Sequence, residues 1–113
     1  ARNHDDHAKN FAFLMGDDHQ WRLAPAYDLA YSFKPGSKWV NSHWMSLNGK
    51  REHFTREDFY TFISQSKIFS KHKIDAILDE TIEHVSTWRS LALDNGVPKS
   101  LSEHIEKNLR LAI

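Results

Sequence analysis

The chain has 113 residues, with 15 Lys and Arg balanced by 15 Asp and Glu and with no cysteine. A formal net charge of zero gives no global field for nucleic acid or an anionic membrane, so any charged ligand must be met by a local site. Without cysteine there is no disulfide framework, thiolate zinc site or thiol nucleophile, and no apolar run approaches the roughly 20 residues of a membrane-crossing helix. The chain therefore reads as soluble and compatible with a reducing cytosol, forming one domain over 1–113 or part of one.

The first element is polar. Residues 3–10 read N-H-D-D-H-A-K-N, crowding two histidines, two aspartates and a lysine ahead of the apolar run F-A-F-L-M. This cluster lies within a few residues of Ala1, and sites of this kind are normally embedded in a fold. The expectation is a piece of a longer protein.

Phe11–Met15 and Trp21–Leu29 are predicted strands joined by the turn-forming Gly16-Asp17-Asp18-His19-Gln20. Pro25 has no N–H to give, so the second strand must lie at an edge, bend there or stop there. Residues 31–54 form a loop region in which Asn48-Gly49, the favoured pair for a type I′ turn, marks a second, weaker hairpin.

From Thr55 the period becomes helical. Thr55-Arg56-Glu57-Asp58 is an N-cap followed three residues on by a carboxylate, and Phe59, Phe62 and Ile63 line one face. A second helix opens at Ser70 or Lys71, with Ile74, Ile77, Leu78, Ile82, Val85, Trp88 and Leu91 at intervals of three and four. Asn95-Gly96 ends it, with Pro98 just beyond. Ser100-Leu101-Ser102-Glu103 reads as a capping box for a last helix bearing Ile105, Leu109 and Ala112. Strands first and helices afterwards give an α+β fold, mainly α-helical: residues 1–30 carry the cluster and hairpin, 31–54 the loop region and 55–113 the helices. The helices packed on one another and under the hairpin form the expected core.

Asp5 stands five residues before Asn10, the D-x-x-x-x-N spacing of a protein-kinase catalytic loop, where the aspartate accepts a hydroxyl proton and the asparagine offers a neutral oxygen to magnesium. Pairing the strands about a turn near residue 18 brings Asn10 opposite residues 26–28, and so beside Asp28. An amide oxygen and a carboxylate converging there form a two-ligand magnesium site, with water and phosphate completing it. Each residue alone has a plainer use as a turn, strand-end or capping residue; the three spacings together favour the site. Two rivals stand beside it. His4, Asp5 and His7 could bind a transition metal, as in metal-dependent phosphohydrolases. The helical region and the 31–54 loop could instead be a partner-binding module with a vestigial motif. The other six histidines, His43 among them, read as solvated surface groups, and Asn3, His4 and Asp6 as neighbours of the motif.

The runs D-D-H-A-K-N-F and L-A-P-A-Y-D-L, with the later W-M-S-L-N-G-K, resemble the C-terminal part of the HipA family of bacterial serine/threonine-kinase toxins. The family's D-x-H-x-K-N and P-x-Y-D segments are both present at matching separation. The resemblance implies a kinase-like C-lobe with Asp5 as catalytic aspartate and Asn10 and Asp28 as magnesium ligands. His7 and Lys9 belong to the motif as residues supporting the bound cofactor. It further implies ATP and Mg2+ as cofactors, a protein serine as phosphoryl acceptor (an aminoacyl-tRNA synthetase in known members), and a HipB-like DNA-binding antitoxin as partner, so that DNA is met only through the antitoxin. The location implied is cytoplasmic. A kinase also needs a phosphate-covering loop and a paired lysine; none of the four glycines lies in a Gly-rich loop. The nucleotide-binding lobe is therefore expected outside these residues, and the chain alone is expected to be inactive.

Overall fold

The computed structural model describes all residues, 1–113. A 3-10 turn at Ala8–Asn10 leads into the antiparallel hairpin of β1 (Phe13–Met15) and β2 (Trp21–Leu23). Five helices follow: α1 (Arg56–Phe59), α2 (Phe62–Gln65), α3 (Lys71–Ser86), α4 (Trp88–Asp94) and α5 (Lys99–Asn108). The architecture is α+β, as the sequence predicts.

The hairpin pairs Phe13 with Leu23, Leu14 with Arg22 and Met15 with Trp21. Its strands are shorter than expected. One further bond, Ala24 N–H to the Ala12 carbonyl at 2.8 Å, extends the pairing, which stops before Pro25. Continued along the same register, Asn10 falls opposite Ala26, at the near end of the expected range. The chain then returns beside its own start: His4 N–H donates to the Ser32 carbonyl and Ser32 N–H to the Arg2 carbonyl, both at 2.9 Å. The segment carrying Asp28 is thereby tied to the one carrying Asp5.

In the loop region Leu47 and Lys50 exchange two backbone bonds around Asn48-Gly49. Both central residues have positive φ, 51° and 74°, as a type I′ turn requires. This turn docks on α1 through Asp58, which is 2% exposed. The Asp58 carboxylate accepts from Asn48 Nδ2, Lys50 Nζ and the Thr55 N–H, each at 2.8 Å. These donors hold its pKa far below the usual carboxylate range, Lys50 contributing most.

Two helical expectations need correction. The long helix breaks at Thr87, where Ser86 and Thr87 hydroxyls donate to the carbonyls of Glu83 and His84. Such back-bonding competes with the helical ladder, and Thr87, with ψ 2°, is the cap shared by α3 and α4. The Ser100–Glu103 capping box does not form, because α5 already starts at Lys99, with Pro98 at its N-cap. The stop at Asn95-Gly96 is as read: Gly96 has φ 67°, Val97 N–H donates to the Ala92 carbonyl and Gly96 N–H to that of Leu93, the pair of bonds of a Schellman end.

The apolar core consists of Ile74, Leu78, Ala92 and Ile105, all helical. Trp88 Nε1 donates to the Ser102 carbonyl at 3.0 Å, joining α4 to α5. Arg56, Tyr60 and Asp75 join α1 to α3, with the Tyr60 hydroxyl 2.7 Å from Asp75. The hairpin, expected to cover this core, instead exposes every strand residue. The chain's accessible surface is 8650 Å2, against roughly 6,400 Å2 for a compact protein of this mass. Its radius of gyration is 16.2 Å, against about 13 Å for a compact chain of this length.

Candidate functional site

The motif residues gather where the 3-10 turn meets the hairpin. His7 precedes this turn in extended conformation, and the Asn10 N–H donates back to the His7 carbonyl at 3.0 Å. That closure brings the Asn10 side chain over Asp5, and Asn10 Nδ2 donates to the Asp5 backbone carbonyl at 2.9 Å. With its nitrogen so engaged, the amide presents its Oδ1 as an acceptor. The Asp5 carboxylate is partly exposed; His7 Nε2 approaches it at 3.8 Å. His7 Nδ1 is buried without a partner.

Across the turn, the Tyr27 hydroxyl donates to the Lys9 carbonyl at 2.7 Å. One bond thus links the immediate neighbours of Asn10 and Asp28. Asp28 has φ 55°, a left-handed conformation that aspartate tolerates better than most residues with a side chain. Its carbonyl accepts from Asn3 Nδ2 at 3.3 Å. The Asp28 side chain is exposed, and the Lys9 side chain forms no ion pair. An amide oxygen and a carboxylate are hard oxygen donors, the kind that magnesium takes alongside water and phosphate. Asn10 and Asp28 therefore fit such an ion chemically.

The His4, Asp5 and His7 rival does not assemble. His4 is fully buried, its ring 4.2 Å from that of His43 and 5.0 Å from that of Phe33. No three His, Cys, Asp or Glu side chains form a group able to hold a metal ion. Burial, His43 and Arg2 all lower the His4 pKa; the nearby Asn41 carbonyl opposes them weakly, outside hydrogen-bonding geometry with either ring nitrogen.

Three residues read as bystanders are structural. Asn3 binds the Asp28 backbone, and His4 fills the space behind the motif. Asp6 is the hub: its carboxylate accepts from His43 Nδ1 at 2.8 Å, from the Trp44 N–H at 2.7 Å and from the Met45 N–H at 3.3 Å. His43 is accordingly no solvated surface group, a correction the local sequence could not supply because its partner lies 37 residues away. Asp5 and Asp6 face different tasks: one carboxylate is left open, and the other ties down the 43–45 loop.

A family model described as the HipA-like C-terminal domain matches residues 1–89, which include the motif, the hairpin and the Asn48-Gly49 turn. No curated protein and no solved structure matches the chain.

Proposed function

The chain belongs to the HipA-like C-terminal domain family, and from that premise we propose that it is the catalytic-loop portion of a serine/threonine protein kinase. The observation that carries this reading is the Asn10 amide held on the Asp5 carbonyl, with the Asp28 segment latched beside it through Tyr27. In the proposed reaction a protein serine Oγ attacks the γ-phosphorus of ATP, the bond to the β-phosphate oxygen breaks and ADP leaves. Asp5 orients the hydroxyl and accepts its proton. The Asn10 Oδ1 and the Asp28 carboxylate would hold magnesium, which when bound offsets negative charge on the phosphates. His7 stands against Asp5 and helps hold it, while Lys9 offers a point charge to phosphate.

The phosphate-covering loop and its paired lysine are to be supplied by polypeptide outside these residues, so the isolated 113-residue chain is expected not to transfer phosphate. An aminoacyl-tRNA synthetase as substrate and a HipB-like antitoxin as partner follow the family resemblance. A cytoplasmic location follows the same resemblance; no helix is long and apolar enough to cross a membrane.

Manganese titration of the isotopically labelled chain tests the metal pair directly. Paramagnetic broadening should concentrate on Asn10 and Asp28 and disappear in Asp28→Asn; uniform broadening, or none at these residues, overturns the assignment. Robust ATP-dependent phosphotransfer by the isolated chain would overturn the division of labour.

The partner-binding reading places its surface on the helical region and the 31–54 loop; the observation that favours a covered face lies on the hairpin instead. Phe13, Leu14, Trp21 and Leu23 are each more than half exposed on a two-stranded hairpin, a unit that is marginal in water unless something covers it.

A further inference from the structure

Behind the motif, a half-open cavity of about 430 Å3 lies among the first three helices and the chain's opening residues. Phe59, Phe62, Leu78 and Ile82 form its apolar wall, while Arg2, Arg110 and Glu52 stand at its polar end. Asp5, Asn10 and Asp28 do not line it.

Two features of this polar end point to a ligand. The first is charge. Arg2 uses its Nε on the Asn108 carbonyl at 2.6 Å, and Arg110 uses Nη2 on the Phe54 carbonyl at 3.2 Å; neither meets a carboxylate. Burial and the Arg110 charge both lower the Arg2 pKa, as expected of like charges held together in a partly dry place. Glu52 is the only acidic side chain in the wall, and its carboxylate lies 3.6 Å from His53. Two guanidiniums against one side-chain carboxylate, with the Ala1 ammonium and the Ile113 carboxylate also in the wall and offsetting each other, leave a single positive charge, which a monoanion would neutralise. The second feature is His4. It sits in the cavity wall, fully buried, with both ring nitrogens unpartnered. Buried polar groups are nearly always satisfied, and this exception lies beside Arg2.

We propose that this cavity binds a small amphipathic carboxylate, its apolar body against Phe59, Phe62 and Leu78 and its carboxylate on Arg2 and Arg110, beside His4. The guanidinium forks match a carboxylate in geometry. The volume falls toward the lower end of the roughly 300–1,000 Å3 of small-molecule sites, so a medium-chain acid fits the space better than a long membrane lipid. The site is independent of the kinase reading and stands or falls without it.

The test is calorimetric titration of the 113-residue chain with decanoate, decanol and acetate, with chemical-shift mapping of the bound state. Saturable one-site binding of decanoate is expected, with shifts at His4 and Leu78. Decanol, lacking the charge, and acetate, lacking the tail, should each bind at least tenfold more weakly. Arg110→Gln should cost decanoate about tenfold, and Leu93→Ser, at an exposed position of α4 outside the cavity lining, should cost it nothing. The proposal fails if decanoate does not saturate, if decanol binds equally well, or if binding is lost in a folded Leu93→Ser. It fails equally if an apolar polypeptide segment occupies the cavity in the protein that carries the nucleotide-binding portion. The decanoate and decanol comparison uses the unsubstituted chain, so it decides between these outcomes even where a variant fails to fold.

Discussion

The side-chain amide of Asn10 donates to the backbone carbonyl of Asp5 across 2.9 Å, closing the loop of residues 5–10 on itself. The bond fixes two things together. It sets the direction of the peptide after Asp5, and it orients the amide so that oxygen, not nitrogen, is left to meet a cation. Loss of Asn10 should therefore damage both Asp5 positioning and metal binding.

In the protein in which this chain is joined to its nucleotide-binding portion, Asp5→Asn should lower kcat by about 10²–10⁴-fold, the usual contribution of a positioned general base. Asn10→Ala should also raise the magnesium concentration needed for half-maximal rate, whereas Asp5→Asn should not. Steady-state rates at varied magnesium separate the two effects. Unchanged kcat in Asp5→Asn would remove Asp5 from the chemistry.

Asp28 combines a positive φ with the proposed metal role, and substitution can separate these. Asp28→Gly fits the left-handed backbone and should leave the melting temperature within a few degrees. Asp28→Val, branched at Cβ, should cost about 1–2 kcal/mol for the same conformation. Both should abolish manganese broadening at Asn10. Thermal melts of equal depth for the two variants would show that backbone conformation is not what selects the residue here.

Asp6→Ala removes the acceptor shared by His43, Trp44 and Met45. A loss of about 1–2 kcal/mol is expected, the scale of charge-assisted hydrogen bonds partly replaced by water. Amide exchange should rise at least tenfold at Trp44 and Met45 while the α3 amides are little changed. Unaltered exchange at both residues would mean that the loop holds itself.

The acid stability of the Asn48–Lys50 turn should follow Asp58. Its folded pKa is depressed, chiefly by Lys50 and Asn48, so its contribution is fully present above the unfolded carboxylate value of about 3.9 and is lost as pH falls below that towards the folded value. Urea melts from about pH 7 to about pH 2 should show a decline beginning near pH 4, flattened in Asp58→Asn. An equal decline in the variant would assign the effect to other carboxylates.

Some of this molecule was legible locally. The helix stop at Asn95-Gly96, the turn at Asn48-Gly49 and the strand end at Pro25 each follow from one or two residues with a fixed backbone demand. The break at Thr87 was hidden because Ser86 and Thr87 sit in an unbroken apolar period that carries no stop signal between α3 and α4. The roles of Asp6 and His43 were hidden for a different reason: their meaning lies in a contact 37 residues apart.

What the sequence alone determined is whatever short-range stereochemistry dictates: the α+β order, the hairpin turn, and the D-x-H-x-K-N loop with its partner segment. What the tertiary structure decided is which of several equivalent polar groups does what. Asp5 and Asp6 are adjacent and identical in chemistry, yet one carboxylate stays open while the other is consumed by the 43–45 loop. His4 and His7 are likewise alike in sequence, but one is sealed among aromatic rings and the other stands against Asp5. A side chain's availability depends on which donors and neighbours the fold brings to it, and those come from distant parts of the chain.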